Sequence, residues 1–270
     1  MFSRLQALHA RPGPLLCGGA WDAGTARLLA HLGYEALETS SAGLAFSLGR
    51  PDGAGLLSRE EILDSAAAIA AAVTVPVTAD LENGFGDDPA TVAETIALAA
   101  SRGIAGGSIE DTTGRPADPL HPHDLAVERV RAAAEAARGR FLLTARCDAY
   151  MHGRGDLAEV IRRLQAYQEA GADVLAAPGL PDRSAVESVV RSLDRPMALF
   201  AGLGQWRPAL AELGAIGVKR VSPGSGLARV ALTAFLAAAR DIARDGDFGR
   251  VYQAEPFGQL NTLFQTIQPT

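Results

Sequence analysis

The stretch VPVTADLENGFGDDPATVAETIALAASRGIAGGSIED, residues 75–111, decides how this chain is built. It opens with a short apolar run rich in β-branched residues that stops at Asp80. A glycine turn follows, then an apolar stripe at helical spacing over residues 90–102, then Gly103 and a second strand-like run ending at Glu110. Two strands joined this way run parallel, because a parallel return needs a crossover of about a dozen residues and the helix supplies it. One β–α–β unit is written here in full.

The same unit recurs outward in both directions. Strand-like runs are PLLCGG (14–19), YEALETS (34–40), VPVTAD (75–80), GGSIED (106–111), RFLLTAR (140–146), DVLAAP (173–178), PMALF (196–200) and VKRVSP (218–223). Helical patterns fill 23–31, 59–73, 90–102, 125–137, 157–170 and 183–193, and several close on glycine turns such as HLGYEAL and EAGADVL. About eight such units predict an α/β fold, a (β/α)8 barrel occupying residues 1–270 as one domain. The alternative is a doubly wound open sheet, but no G-x-G-x-x-G follows the first strand. From about residue 224 to 270 a helical arm is expected. Its Phe248, Tyr252, Phe257 and Phe264 either fold onto the arm's own barrel or pack on another subunit.

Composition narrows the function. Of 270 residues, 48% are hydrophobic and 21% charged, enough for a large core, and no apolar run is long enough to predict a membrane span. A net charge of −6 argues against nucleic acid as a partner, since phosphate neutralisation wants a basic surface. Two cysteines, Cys17 and Cys147, make neither a disulfide framework nor a zinc site. Without a recognisable leader, the expected location is cytoplasmic.

In a barrel, the C-terminal strand ends carry the site. They read TSSAG after the second strand, Asp80 and Glu82 after the third, Glu110 after the fourth and Arg146 after the fifth. Alternation lets Asp80 and Glu82 point the same way, and Glu110 is on the adjacent strand. Three acids around one point repel unless a cation neutralises them. With no His or Cys among them, a hard ion is indicated: Mg2+, with Mn2+ as the other choice. Asp80, Glu82 and Glu110 are the candidate metal ligands. Arg146 is a candidate two-point fork for a carboxylate or phosphate, with a salt bridge to Glu110 or Asp148 as its structural alternative. Backbone amides and hydroxyls at Ser40, Ser41 and Ala42 form a candidate anion cradle.

TSSAGLAFSLGRPD, VTADLENGFG, GGSIED and LTARCDAY, in this order and spacing, resemble the isocitrate lyase/phosphoenolpyruvate mutase superfamily over about residues 15–222. The resemblance implies a (β/α)8 barrel, Mg2+, and small 2-oxo or 2-hydroxy acids cleaved through an enolate. It implies Asp80 as direct metal ligand and substrate neighbour, with Glu82, Glu110 and the acid Asp52 acting through metal-bound water. It implies that Ser40, Ser41, Ala42 and Arg146 hold the substrate carboxylate. It further implies a homotetramer or dimer in which final helices are exchanged between subunits.

One segment departs from the pattern. The superfamily's lyases carry Lys-Lys-Cys-Gly-His after the E-D pair, with a catalytic cysteine, and its phosphonate mutases carry lysine and asparagine. Here the segment reads DTTGRPADPLHPHD, an expected mobile lid with His121 and His123 as its titratable candidates, or else as solvent-exposed residues before a helix capped by Asp124. The reading is therefore a lyase acting on a 2-oxo acid such as oxaloacetate, 2-oxoglutarate or pyruvate, and neither an isocitrate nor a methylisocitrate lyase. Its alternatives are a phosphonopyruvate hydrolase or mutase and a non-catalytic 2-oxo acid binding protein. A Schiff-base aldolase is disfavoured because the chain's one lysine, Lys219, falls at the start of the last strand.

Overall fold

The computed structural model describes residues 1–53, 55–204 and 206–267. Eight parallel strands close on themselves: β1 (Leu15–Ala20), β2 (Ala36–Thr39), β3 (Val77–Asp80), β4 (Gly106–Glu110), β5 (Leu142–Arg146), β6 (Val174–Ala176), β7 (Met197–Phe200) and β8 (Arg220–Ser222). Each pairs with the next, and β8 returns to β1 through Leu15 opposite Arg220. Closure disposes of the open-sheet alternative.

Around the strands lie α2 (Ala23–His31), α4 (Arg59–Ala71), α5 (Pro89–Ser101), α6 (His123–Ala137), α7 (Leu157–Glu169), α8 (Arg183–Arg191) and the short α9 (Leu210–Ala215). Most start where a side-chain oxygen satisfies a free backbone amide. Asp22, Ser58, Asp88, Asp156 and Asp182 each accept such a bond, a contribution of about 1 kcal/mol apiece. Ile96, Ile109, Leu143, Leu164 and Val189 join in one core between strands and helices.

Two helices escaped the sequence reading. The helix α1 (Phe2–Ala10) precedes the barrel, and its Leu5 and Leu8 are buried in one cluster with Leu15, Cys17, Leu142 and Val174. It therefore covers the end where the strands begin. The helix α3 (Ser41–Ser47) starts within TSSAG, which reads as a plain turn; Ser40 Oγ caps it by accepting from the Gly43 amide at 3.1 Å.

The barrel interior changes character with depth. At the floor it is apolar. In the middle, Thr78, Ser108 and Thr144 lie two residues below Asp80, Glu110 and Arg146, so alternation turns them inward as well. Arg220 crosses the interior from β8 to donate to Thr144 Oγ1 at 2.9 Å, and both are buried.

The chain ends in α10 (Gly226–Asp245), α11 (Gly249–Tyr252) and α12 (Phe257–Thr266). Of α10's twenty residues only Ala228 is buried, while Val230 and Phe235 are each 66% exposed. The helix α12 returns over the start of α2, where a Cβ on Gly24 would lie 3.9 Å from the Phe264 ring.

Candidate active site

Asp80 is the last residue of β3, and the strand before it fixes its position. The Asp80 amide donates to Thr39 Oγ1 at 3.0 Å, and its Oδ2 accepts from Ser41 Oγ at 2.7 Å. The chain leaving β3 stays tied to β4 through the Glu110 amide and the Glu82 carbonyl at 2.8 Å. Glu82 reaches this bond with φ +47°, a left-handed conformation that non-glycine residues adopt at a cost. Arg129 of α6, itself buried, donates to the carbonyls of Asn83 and Gly86 and holds the turn beyond it.

Arg146 ends β5 opposite Glu110 of β4. Its Nε and Nη2 bond to Asp148 at 2.8 and 2.6 Å, and Nη2 also meets Glu110 at 2.9 Å. Nη1 lies 3.9 Å from Asp80 Oδ1, and the guanidinium sits 5.3 Å from the centre of the Phe200 ring. The two-point fork expected from the sequence is thus taken by Asp148, and Nη1 is the donor left for a ligand. Asp148 is held from behind. Its amide donates to Asp111 Oδ1 at 2.8 Å, and Asp111 Oδ2 accepts from Tyr167 and Arg163 at 2.8 and 3.0 Å.

The site is short of positive charge: Asp52, Asp80, Glu82, Glu110 and Asp148 surround one arginine. Burial, then Asp80 and Asp52, pushes the Glu82 carboxyl up to about 7. Burial raises Glu110 well above the carboxylate range against the pull of Arg146. Partial desolvation, then Asp80, raises Asp52. Burial would lower Arg146, but Asp148 and Glu110 hold it well above its ordinary value. Anions crowded this way gain from a hard cation. Asp80 Oδ1 accepts a long bond from the Glu82 amide at 3.4 Å and faces Arg146 Nη1 at 3.9 Å.

Among the described residues no three His, Cys, Asp or Glu side chains close on one point tightly enough to hold an ion by themselves. Asp80, Glu82 and Glu110 therefore do not by themselves make the expected three-ligand site, and an ion held among them would have to keep several waters. That all-oxygen set fits Mg2+, which keeps several waters and takes one or two carboxylates.

These groups open into a cavity of about 1090 Å³ at the C-terminal mouth, lined also by Ser40, Ser41 and Ala42. The hydroxyls of the proposed cradle have other work: Ser41 Oγ serves Asp80 and Ser40 Oγ caps α3. The segment after Glu110 overhangs the cavity with Thr112 to Pro116. Far from featureless, it is a small hairpin closed by a Thr112–Leu120 bridge and anchored by Arg115 on Asp87 at 2.8 Å.

Neither histidine of that segment reaches the cavity. The His121 ring is buried, 3.8 Å from Asp87, and burial with Arg129 lowers it to about 4. Its own backbone pins it there, through its amide on the Asp111 carbonyl at 2.9 Å. His123 begins α6 beside Asp124 at 3.3 Å. His152, which the sequence reading passed over, lines the rim instead. Lys219 Nζ bonds to the carbonyls of Arg11 and Gly13 at the opposite end of the barrel.

Residues 5–243 match the family model described as phosphoenolpyruvate phosphomutase. A crystal structure of a Burkholderia cenocepacia J2315 protein, provisionally described as a lyase/mutase, superposes with TM-score 0.93 at 52% identity, covering 97% of this chain and 94% of that one. An oxaloacetate decarboxylase of Chromohalobacter salexigens is 32% identical over 81% of this chain and 77% of its own. A 2-methylisocitrate lyase of Salmonella typhimurium is 34% identical over 66% of this chain and 62% of its own. The chain belongs to the phosphoenolpyruvate phosphomutase family, within the isocitrate lyase/phosphoenolpyruvate mutase superfamily. It is an enzyme of the lyase and mutase type found there.

Proposed function

We propose that this protein is a Mg2+-dependent lyase that cleaves a bond beside the keto group of a small 2-oxo acid through an enolate. The observation that carries the reading is the mouth itself, where Asp80, Glu110 and Asp148 converge on Arg146 above a deep cavity. Bound at Asp80, Mg2+ or Mn2+ would supply Lewis acidity to the substrate's keto and carboxylate oxygens. Arg146 Nη1 adds a positive charge beside the developing enolate, and Asp148 holds the guanidinium in place. The overhanging hairpin excludes water. Ser41 keeps Asp80 turned toward the mouth.

No cysteine lines the cavity among the described residues; Cys17 and Cys147 are both buried elsewhere. This supports chemistry other than isocitrate or methylisocitrate cleavage. Among the described residues no helix is long and apolar enough to cross a membrane, in keeping with a cytoplasmic enzyme. The bare face of α10 supports a homo-oligomer, dimer or tetramer, in which the arm packs on a second copy.

The test is a turnover screen with Mg2+, with and without chelator, over oxaloacetate, 4-hydroxy-2-oxo acids, phosphonopyruvate and 2-methylisocitrate, with pyruvate and 2-oxoglutarate as binding probes. Chelator-sensitive cleavage of a 2-oxo acid is the expected result. Turnover of 2-methylisocitrate alone, or 2-oxo acid binding with no turnover, would overturn it. The family model gives phosphonopyruvate standing as the second substrate, with P–C in place of C–C cleavage.

A further inference from the structure

Seven carboxylates line the cavity, and six have evident employment. Asp80, Glu110 and Asp148 meet Arg146, Glu94 is paired with Arg59 at 2.7 Å, and Asp52 and Glu82 flank Asp80. The seventh is Glu38 of β2. It is 3% exposed, lines the cavity, and its Oε2 has no hydrogen-bond partner among the described residues. Glu38 pairs in register with Thr78, two residues before Asp80, so it lies one interior layer beneath the candidate metal ligand on the adjacent strand.

An acid this deep needs a reason, because a buried carboxylate without its bonds is costly. Part of the reason is structural. Arg220 lies in the same interior, and its charge and that of Glu38 both act on Cys17, whose thiol burial pushes up to about 12. Arg220 thus supplies a buried counter-charge. It leaves Oε2 unbonded, and its own Nε and Nη1 and the Ser108 Oγ are unpartnered too. The middle layer below Asp80 is therefore polar, and the Glu38 carboxylate is the acceptor in it. A second carboxylate of a dicarboxylic acid has no proton to give it. It would welcome a hydroxyl.

We propose that Glu38 is a further catalytic residue and sets the substrate class: a monocarboxylic 4-hydroxy-2-oxo acid, whose C4 hydroxyl bonds to the Glu38 carboxylate and which is cleaved by a retro-aldol reaction. This rests on the 2-oxo acid lyase reading above. Glu38 takes the hydroxyl proton, and the O–H electron pair becomes the second bond of the aldehyde carbonyl. The C3–C4 bond breaks with its pair passing to C3 and the 2-oxo oxygen, leaving the enolate. Glu38 then returns the proton to C3, giving pyruvate when the substrate has no further branch. Atoms and charge balance with no co-reactant. The hairpin over the cavity, whose Thr112, Thr113 and Arg115 are no acids, need contribute none.

The experiment compares 4-hydroxy-2-oxopentanoate, 2-oxopentanoate and oxaloacetate in Mg2+, with wild type, Glu38→Gln and Glu38→Leu, following pyruvate and acetaldehyde. Wild type should favour the hydroxy acid over oxaloacetate by about tenfold or more in kcat/KM, and bind it more tightly than 2-oxopentanoate. Glu38→Gln keeps an acceptor and loses the base, so kcat should fall about 100-fold with KM little changed. Glu38→Leu should raise KM as well. Cooperative melting of each variant separates these effects from misfolding, and the wild-type preference needs no variant at all. Preference for oxaloacetate, with Glu38→Gln equal to wild type, would overturn the role of Glu38 and leave the lyase reading standing. Failure of every 2-oxo acid to turn over would overturn the lyase reading, and this inference with it.

Discussion

Asp148 takes the Nε and Nη2 of Arg146, at 2.8 and 2.6 Å, and is itself fully buried. The arginine that faces the cavity is thus half consumed by its own neighbour. Asp148→Asn keeps the shape but strips the closest counter-charge from a buried guanidinium. Breaking a buried pair in this way destabilises a fold by roughly 3–5 kcal/mol, here reduced by the remaining Glu110 contact. Urea unfolding of wild type and variant measures it. An unchanged midpoint would mean that Glu110 alone suffices.

Asp80→Asn should abolish the metal requirement by abolishing the metal. Asn retains an oxygen for Ser41 but not the charge, so calorimetric Mg2+ binding should disappear and pyruvate affinity should no longer respond to Mg2+. Mg2+ binding as in wild type would place the ion elsewhere.

His9 makes stability depend on pH. Its ring is buried on α1, and burial followed by the charge of Arg220 lowers it from 6.5 to about 4, with Lys219 acting in the same sense. Between those values the unfolded chain binds the proton and the folded chain refuses it. The stabilisation is therefore complete above pH 6.5 and is lost as pH falls toward 4. By pH 4.5 the loss amounts to roughly 2 kcal/mol. His121 titrates in the same direction, so the difference between proteins is the quantity to read. His9→Gln should lose less stability than wild type between pH 7 and 4.5, by denaturant titration at both. Parallel losses would refute it.

Phe235 stands 66% exposed on α10. If the arm packs on a second copy, Phe235→Glu puts a charge into an apolar contact and should shift the protein toward monomer in sedimentation velocity. Phe235 lies outside the core, so the monomer should still melt cooperatively. A variant whose mass distribution matches wild type would leave α10 facing solvent.

The barrel was legible because most strands are apolar runs buried on both faces and five of its helices begin at a capping side chain, both local signals. The positions of Asp80, Glu110 and Arg146 followed from strand ends alone. A salt bridge from Arg146 to Glu110 or Asp148 was legible as the alternative to a substrate fork, and both contacts form. What holds Asp148 in place was not legible, because its amide meets Asp111, a residue far away in sequence. Arg129 looks like an ordinary helix-face charge until α6 lays it against the 83–86 turn. Glu38 did carry a signal: an acid alternating with apolar residues inside a buried strand, in YEALETS. It was passed over because the two serines that follow drew the eye to the strand end. The places of His121 and His123 were not legible, because His121 is buried by the Asp111 carbonyl and Asp87, contacts distant in sequence that turn both rings away from the cavity.

The helix α1, laid across the strand beginnings with Leu5 and Leu8 in the floor, makes the barrel a cup and not a tube. A cup has one opening, and whatever enters first lies deepest. If the 2-oxo acid portion settles against Asp80 with its leaving fragment toward Glu38, the fragment formed below must pass the enolate-derived product to escape. Release is then ordered by position: product traps fragment, and the reverse condensation competes with departure. Added pyruvate should accordingly slow fragment release as well as occupy free enzyme, a kinetic signature of a blind-ended vessel.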